Sequence, residues 1–346
     1  MRTIKDAELF NALREYFKVY LPKQKQVSPN TIRSYQNALE SLLDYIVKTI
    51  PIKLNEVTFD TIDKEIVCNY LDWLENECNC SKSTRNHRLR CIKAFYAFVA
   101  DTIPTAAIYQ KEIYKIRQAP VEKSTKLDYM SEEAVKAVLS APDLNTSKGI
   151  RDALIMIMLY DTGARIQETL AIKLCDIQYR SATVTLSGKG RKVRCVTLMD
   201  STMKHLHNYI RLFHSDSADS DYLFFTNRKM IKKQMTTDNA RRIVRYYGII
   251  AREKCNAVPE NVHPHLFRHS RAMHLYQNGM PLALISQWLG HSSVETTLIY
   301  AYADTEMKRK AIESATPPDS PLKDFLNAER YTISDEELIK QLYGLR

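Results

Sequence analysis

Thr183-Val-Thr-Leu-Ser-Gly-Lys-Gly-Arg-Lys-Val-Arg-Cys-Val-Thr-Leu198 is the one clear departure from helix in the second half of this chain. Thr183 to Leu186 alternates between polar and apolar residues, the period of a strand with one buried face. Ser187 to Lys192 holds two glycines suited to a sharp reversal, and Val193 to Leu198 is strand-like again. The reading is a β-hairpin whose turn carries Lys189, Arg191 and Lys192. Apolar residues on either side of it recur at the helical period. The expected fold is therefore mainly α with a small β-hairpin.

Upstream, Leu9, Phe10, Leu13, Phe17 and Tyr20 share a stripe that predicts a helix over Ala7 to Leu21. A second helix follows Ser28 as N-cap and Pro29 at the first helical position, with Ile32, Tyr35, Leu39, Leu42, Leu43 and Ile46 on one face. Ile66, Tyr70, Leu71, Trp73 and Leu74 mark a third, from about Lys64 to Glu77. The fourth begins near Ser83 and carries Leu89, Ile92, Phe95, Tyr96 and Phe98. Four amphipathic helices with short connections make a helical domain over residues 1–117. Periodicity stops over 118–128, where proline, lysine and serine collect as in a linker. Helix resumes after Ser131, an N-cap followed by Glu132 and Glu133, whose charges suit the helix dipole. Residues 129–316 form the second domain, helical beyond the hairpin to its end. Pro317, Pro318 and Pro321 then open a tail, 317–346, in which Ser334 caps a short amphipathic segment.

A chain of 346 residues is long enough for two cores, and 45% apolar residues is a globular composition. The formal charge of +10 and pI near 9.1 suit a partner that carries phosphate. Met1 to Phe10 has no apolar stretch of signal-peptide type, and the longest apolar run, Ala153 to Tyr160, is too short to span a bilayer. A cytoplasmic protein with no membrane partner is expected. Seven irregularly spaced cysteines read as reduced thiols. Cys78, Cys80, His87 and Cys91 do not form a usual zinc pattern, because one residue alone separates the first pair. No metal is expected.

Breaking a phosphodiester without a metal needs a nucleophile, cations for the non-bridging oxygens and an acid for the leaving oxygen. Arginine is the best such cation, with a planar fork and a permanent charge. Arg165 is a candidate in Thr162-Gly-Ala-Arg-Ile-Gln-Glu-Thr-Leu170: Gly163 permits a turn, and Glu168, three residues on, can brace the guanidinium. A second candidate lies in His263-Pro-His-Leu-Phe-Arg-His-Ser270, where Pro264 opens a helix with His265 in its first turn and Arg268 one turn on. His265 and His269 have the i, i+4 spacing of a zinc pair, but Leu266 stands where a metalloprotease has glutamate. The third segment is Trp288-Leu-Gly-His-Ser-Ser-Val-Glu-Thr-Thr-Leu-Ile-Tyr300. Gly290 suits a helix C-cap, and Ser292 with Glu295 matches a capping box for the next helix, two turns into which lies Tyr300. Taken alone, Tyr300 reads as a core aromatic, one of 20 tyrosines.

Arg165, Lys189, His265-x-x-Arg268, His291 and Tyr300, in this order, resemble the tyrosine recombinase (phage integrase) family, closest in layout to Xer-type recombinases and transposon integrases. The resemblance spans nearly the whole chain. It implies a helical core-binding (SAM-like) domain followed by an α+β catalytic domain. It also implies cleavage and rejoining of DNA through a 3′-phosphotyrosyl intermediate, with no cofactor. In that scheme Arg165 and Arg268 clamp the scissile phosphate and Glu168 supports the site. Lys189 is the general acid, His265 assists proton transfer from the nucleophile, His291 hydrogen-bonds a phosphate oxygen, and Tyr300 attacks. Tyr302 departs from the pattern, standing where many relatives have histidine; the run Thr296-Thr-Leu-Ile-Tyr300 and the spacing from His291 favour Tyr300. Arg191, Lys192 and Arg194 share the hairpin with Lys189 and leave open which cation acts as the acid.

The partners implied are double-stranded recombination sites, gripped by two basic domains as a clamp. The protein is expected as a monomer or dimer when free and a homotetramer on two sites, with the tail docked on a neighbouring protomer. Lys82, Ser83, Thr84, Arg85, Asn86 and Arg88 at the start of the fourth helix are expected to meet DNA. So are Arg191, Lys232, Lys233, Arg241 and Arg242. Integration or excision of a mobile element is the expected task, in the cytoplasm and on the nucleoid. Chromosome-dimer resolution, a type IB topoisomerase and a catalytically silent regulator are the alternatives.

Overall fold

The computed structural model describes residues 4–121, 127–188, 192–228, 231–290, 297–303, 309, 312 and 340. The chain divides into two compact units, Met1–Lys123 and Ser124–Arg346. No helix among the described residues is long and apolar enough to cross a membrane.

In the first unit, α1 (Ala7–Glu15) is capped by Asp6, whose carboxylate accepts the Leu9 N–H. The expected helix does not end at Leu21. From Tyr16 to Gln24 it winds as a wider π-helix that contains Pro22, a residue with no N–H to donate to an α-helical ladder. α2 (Pro29–Thr49) starts as expected on Ser28, whose hydroxyl accepts the Thr31 N–H. α3 (Lys64–Asn76) is capped by Asp63, and α4 (Lys82–Thr102) and α5 (Ala107–Tyr114) follow, the last not foreseen. Tyr16, Tyr70, Phe95 and Tyr96 fill the core between them.

α4 starts beside Ser83 as expected; its cap is Ser81, whose hydroxyl already satisfies the Thr84 N–H. Two expected DNA contacts on this helix turn inward. Arg85 pairs with Asp72 and Glu75 of α3, and Asn86 is buried. The Asn86 amide donates to the Ala119 carbonyl at 2.8 Å and accepts the Ala119 N–H at 2.9 Å. Asn86→Ala unpairs both peptide groups, so the first unit is expected to lose about 1–2 kcal/mol in a denaturant titration.

The second unit is built round α7 (Ser147–Thr162), which is buried on every side from Asp152 to Met156. α6 (Glu132–Leu139) is capped by Ser131 as expected. After α7 comes the short α8 (Ile166–Leu170). Then β1 (Ile177–Gln178), β2 (Thr183–Ser187) and β3 (Val193–Thr197) form an antiparallel sheet in that order. Thr185 faces Cys195 and Leu186 faces Arg194 across the expected hairpin, with Val184, Leu186 and Val196 buried. The Gly188 N–H donates to the Lys192 carbonyl at 2.7 Å. The turn residues Lys189 to Arg191 lie outside the described residues.

α9 (Asp200–Phe213) is followed by a second hairpin, β4 (Phe225–Arg228) with β5 (Ile231–Gln234). Its position corrects the expectation that the chain is helical throughout beyond the first hairpin. Lys232 and Lys233 fall within that expected helical run; pairing of β4 with β5, invisible to a local reading, makes their segment a strand. α10 (Thr237–Lys254), α11 (Pro264–Gln277), α12 (Leu282–Leu289) and α13 (Leu298–Ala303) follow. The capping box expected at Ser292 and Glu295, the linker core 122–126, and residues 317–339 and 341–346 of the tail lie outside the described residues.

Candidate active site

α7 ends at Gly163, whose φ of +56° is a left-handed conformation that strains any side chain. A Cβ there would also stand 2.9 Å from both Leu289 and Trp288, so the turn runs hard against α12. Two residues later Arg165 occupies the N-cap of α8, its side chain 42% exposed.

Glu168 braces it, as expected. One carboxylate oxygen accepts Arg165 Nη1 at 2.9 Å, and the other accepts the Arg165 backbone N–H at 3.0 Å. That second oxygen also takes Arg194 Nη2 at 2.8 Å, while Arg194 Nε donates to the Trp288 carbonyl at 3.1 Å. Burial alone would raise the Glu168 pKa, but hydrogen bonds from Arg194 and Arg165 outweigh it and hold the carboxyl below its ordinary range. It is ionised at neutral pH.

Arg194 is thus not interchangeable with the turn cations; it ties β3 to α8 and to the end of α12. The signal for this lay in the strand period. Arg194 precedes the core-facing Val196 by two residues, so both point to the same face.

Arg268 sits on α11, buried, with Nη1 donating to the Gly163 carbonyl at 2.7 Å and Nη2 to the Leu289 carbonyl at 2.9 Å. Burial and the neighbouring Arg165 bring its pKa down to about 10, against the opposing pull of Glu168 and Tyr300, leaving it charged at neutral pH. His265, one turn earlier, is exposed; partial desolvation, then His263, Arg268 and Arg165, lower its pKa and favour the neutral ring.

Tyr300 on α13 is fully buried among Ala272, Met273, Ile285 and Leu289. Burial pushes its pKa up to about 12, although Arg268 and Arg165 pull the other way. The hydroxyl meets His269 Nδ1 at 3.2 Å, a contact that the sequence did not suggest.

The structure therefore gathers Arg165, Glu168, Arg268, His265 and Tyr300 from α8, α11 and α13. Lys189, Arg191 and His291 lie outside the described residues, as does the side chain of Tyr302. Such a group can hold an anionic diester on two guanidinium forks beside a phenol.

Of the expected DNA-facing residues, Lys82, Ser83 and Thr84 are exposed at the start of α4. Ser83, Thr84 and the half-buried Arg88 line a polar cleft with Ser34, Asn37 and His87. Lys232 and Lys233 are exposed on β5. Arg241 and Arg242 are exposed on α10, held by Asp238 at 3.0 Å and Asn239 at 3.3 Å.

The phage integrase family matches residues 128–307, more than half the chain, and the phage integrase N-terminal SAM-like domain matches 14–102. The chain belongs to the phage integrase family, the tyrosine recombinases. It is 31% identical over 337 residues to y4rC of Sinorhizobium fredii, a protein named as an integrase/recombinase, covering 94% of this chain and 99% of that one. It is also 31% identical over 316 residues to tyrosine recombinase XerC of Chlamydia caviae, covering 86% of this chain and 96% of the relative. Among solved structures, the Tn1549 transposon integrase in complex with transposon right end DNA shares the fold with a TM-score of 0.66. It has 17% identity, covering 91% of this chain and 99% of that one.

Proposed function

We propose that this tyrosine recombinase cleaves one DNA strand with Tyr300 and rejoins it without metal or ATP, integrating or excising a mobile element. The observation that carries the reading is the convergence of Arg165, braced by Glu168, and Arg268 next to the Tyr300 hydroxyl. The two guanidinium groups hold the non-bridging oxygens and offset the charge that grows as phosphorus becomes five-coordinate. Tyr300 forms the phosphotyrosyl bond at the 3′ side, Lys189 protonates the departing 5′ oxygen, and His291 hydrogen-bonds the phosphate. The exposed His265 assists proton movement. The phosphodiester energy is kept in the phosphotyrosyl bond, so the reverse attack reseals the strand.

Residues 1–117 and the catalytic region 129–316, joined by 118–128, both contact the duplex. Lys82, Ser83, Thr84, Arg88, Arg191, Lys232, Lys233, Arg241 and Arg242 supply backbone contacts. Each chain carries one Tyr300, and reciprocal exchange between two duplexes breaks four strands. Four protomers therefore act on two sites, with the tail 317–346 docked on a neighbour.

Fragmented host DNA incubated with the protein and denatured is expected to yield a covalent adduct. The adduct should vanish in Tyr300→Phe and persist in Tyr302→Phe; the reverse pattern would move the nucleophile to Tyr302. The similarity to XerC favours a second reading, resolution of chromosome dimers. Sequencing the linked DNA separates the two, as mobile-element ends or a single chromosomal site.

A further inference from the structure

A phenol that is to attack phosphorus must lose its proton as the new bond forms, and the group touching the hydroxyl is the first candidate to receive it. Among the described residues that group is His269. Its Nδ1 lies 3.2 Å from the Tyr300 oxygen, and the two ring centroids are 6.0 Å apart. His269 follows Arg268 directly on α11, so the residue beside the phosphate clamp and the residue beside the nucleophile share one rigid helix. His265 lies one turn earlier and is exposed, whereas His269 is half-buried against α13.

Resting on the reading of Tyr300 as nucleophile, we propose that His269 orients the Tyr300 hydroxyl and accepts its proton during strand cleavage. The Tyr300 oxygen bonds to phosphorus while its proton passes to His269 Nδ1. The bond from phosphorus to the 5′ oxygen breaks, and that oxygen takes a proton from the separate acid. On rejoining, the 5′ hydroxyl attacks and returns its proton to the separate acid, the Tyr300–phosphorus bond breaks, and His269 returns its proton to the phenolate. The cycle consumes no proton.

The electrostatics fit this order of events. Burial, then His265 and Arg268, lower the His269 pKa to about 4, with His263 adding and Asp128 opposing. The Tyr300 phenol is pushed the other way, so without DNA the pair rests as neutral phenol and neutral imidazole. A phosphodiester held on Arg268 offsets one of the cations that depress His269. The imidazole becomes a better base when there is something for the phenol to attack. The nucleophile stays protonated until then.

The test uses the full-length protein in single-turnover cleavage of a nicked duplex built from the captured site. The duplex is made once with the ordinary 5′ oxygen and once with a bridging 5′ sulfur, which leaves without help from an acid. His269→Ala is expected to slow cleavage by about 100-fold or more on both substrates. His269→Asn places a hydrogen-bonding amide near the position of Nδ1 but cannot take a proton, and is expected to be as slow. Band-shift affinity and thermal unfolding of both variants should match wild type, separating loss of chemistry from loss of fold. His269→Asn at the wild-type rate would overturn the proton transfer, as would His269→Ala within threefold of it. Restoration of the Ala variant by the sulfur substrate would place His269 on the leaving-group side and overturn it too. If wild-type protein forms no adduct that Tyr300→Phe abolishes, the nucleophile assignment itself fails, a result distinct from any of these.

Discussion

Glu168→Ala is expected to destabilise the second unit by about 3–5 kcal/mol, since it strips a buried carboxylate from two arginines and leaves a half-buried charge unpaired. In a unit of this size that is a fall in Tm on the order of 10 °C. The carboxylate is 4% exposed and holds three donors: Arg165 Nη1, the Arg165 backbone N–H and Arg194 Nη2. Removing it frees the first turn of α8 and releases Arg165, so strand cleavage is expected to fall with stability. Glu168→Gln keeps the shape without the charge and should fall between the two. The sign with pH follows from the depressed carboxyl pKa. Its stabilisation is fully present above the ordinary carboxylate value of 4.5 and is lost as pH falls through the lower folded value. The gap between wild type and Glu168→Gln should therefore narrow below about pH 4.5. Urea titrations of the three proteins at neutral pH and in that acid range measure it; a gap that stays constant would remove the charge from the account.

Arg268→Lys tests the clamp from the other side. Arg268 already uses two fork nitrogens on the Gly163 and Leu289 carbonyls, which fixes the plane of the guanidinium between the end of α7 and the end of α12. Lysine keeps the charge but has a single rotatable ammonium, so it cannot bridge both carbonyls and also present a planar edge to phosphate. Single-turnover cleavage is expected to drop by about 100- to 1000-fold, the cost of losing one preorganised donor to a transition-state oxygen. DNA affinity should change little, because one phosphate contact among many is altered and its charge remains. A rate within tenfold of wild type at saturating protein would show that Arg268 is a structural bolt and no part of the clamp.

The helices and caps of this chain were largely legible because the features that create them are local. Ser28 with Pro29, Ser131 with its acidic turn, and Gly163 each meet a backbone need within four residues. The first hairpin was legible for the same reason, as a two-residue period with glycines at the turn. Where contacts come from far along the chain, local reading misdirected. Arg85 and Asn86 looked like DNA contacts by charge and position, yet their partners are Asp72, Glu75 and the Ala119 backbone. Lys232 and Lys233 lie where helix was expected, but β4 supplies a partner strand.

The order and types of Arg165, Glu168, His265, Arg268 and Tyr300 could be read along the chain, because each residue's chemistry is a property of its side chain. Which atoms meet could not, because the contacts join residues far apart in sequence that only packing brings together. Arg194 proved to be the brace shared by Glu168 and Trp288, and His269 proved to be the partner of the Tyr300 hydroxyl. Burial also set the protonation states, raising the phenol and lowering the imidazole beside it. Desolvation depends on what surrounds a group in three dimensions, and the folded second unit alone supplies those surroundings.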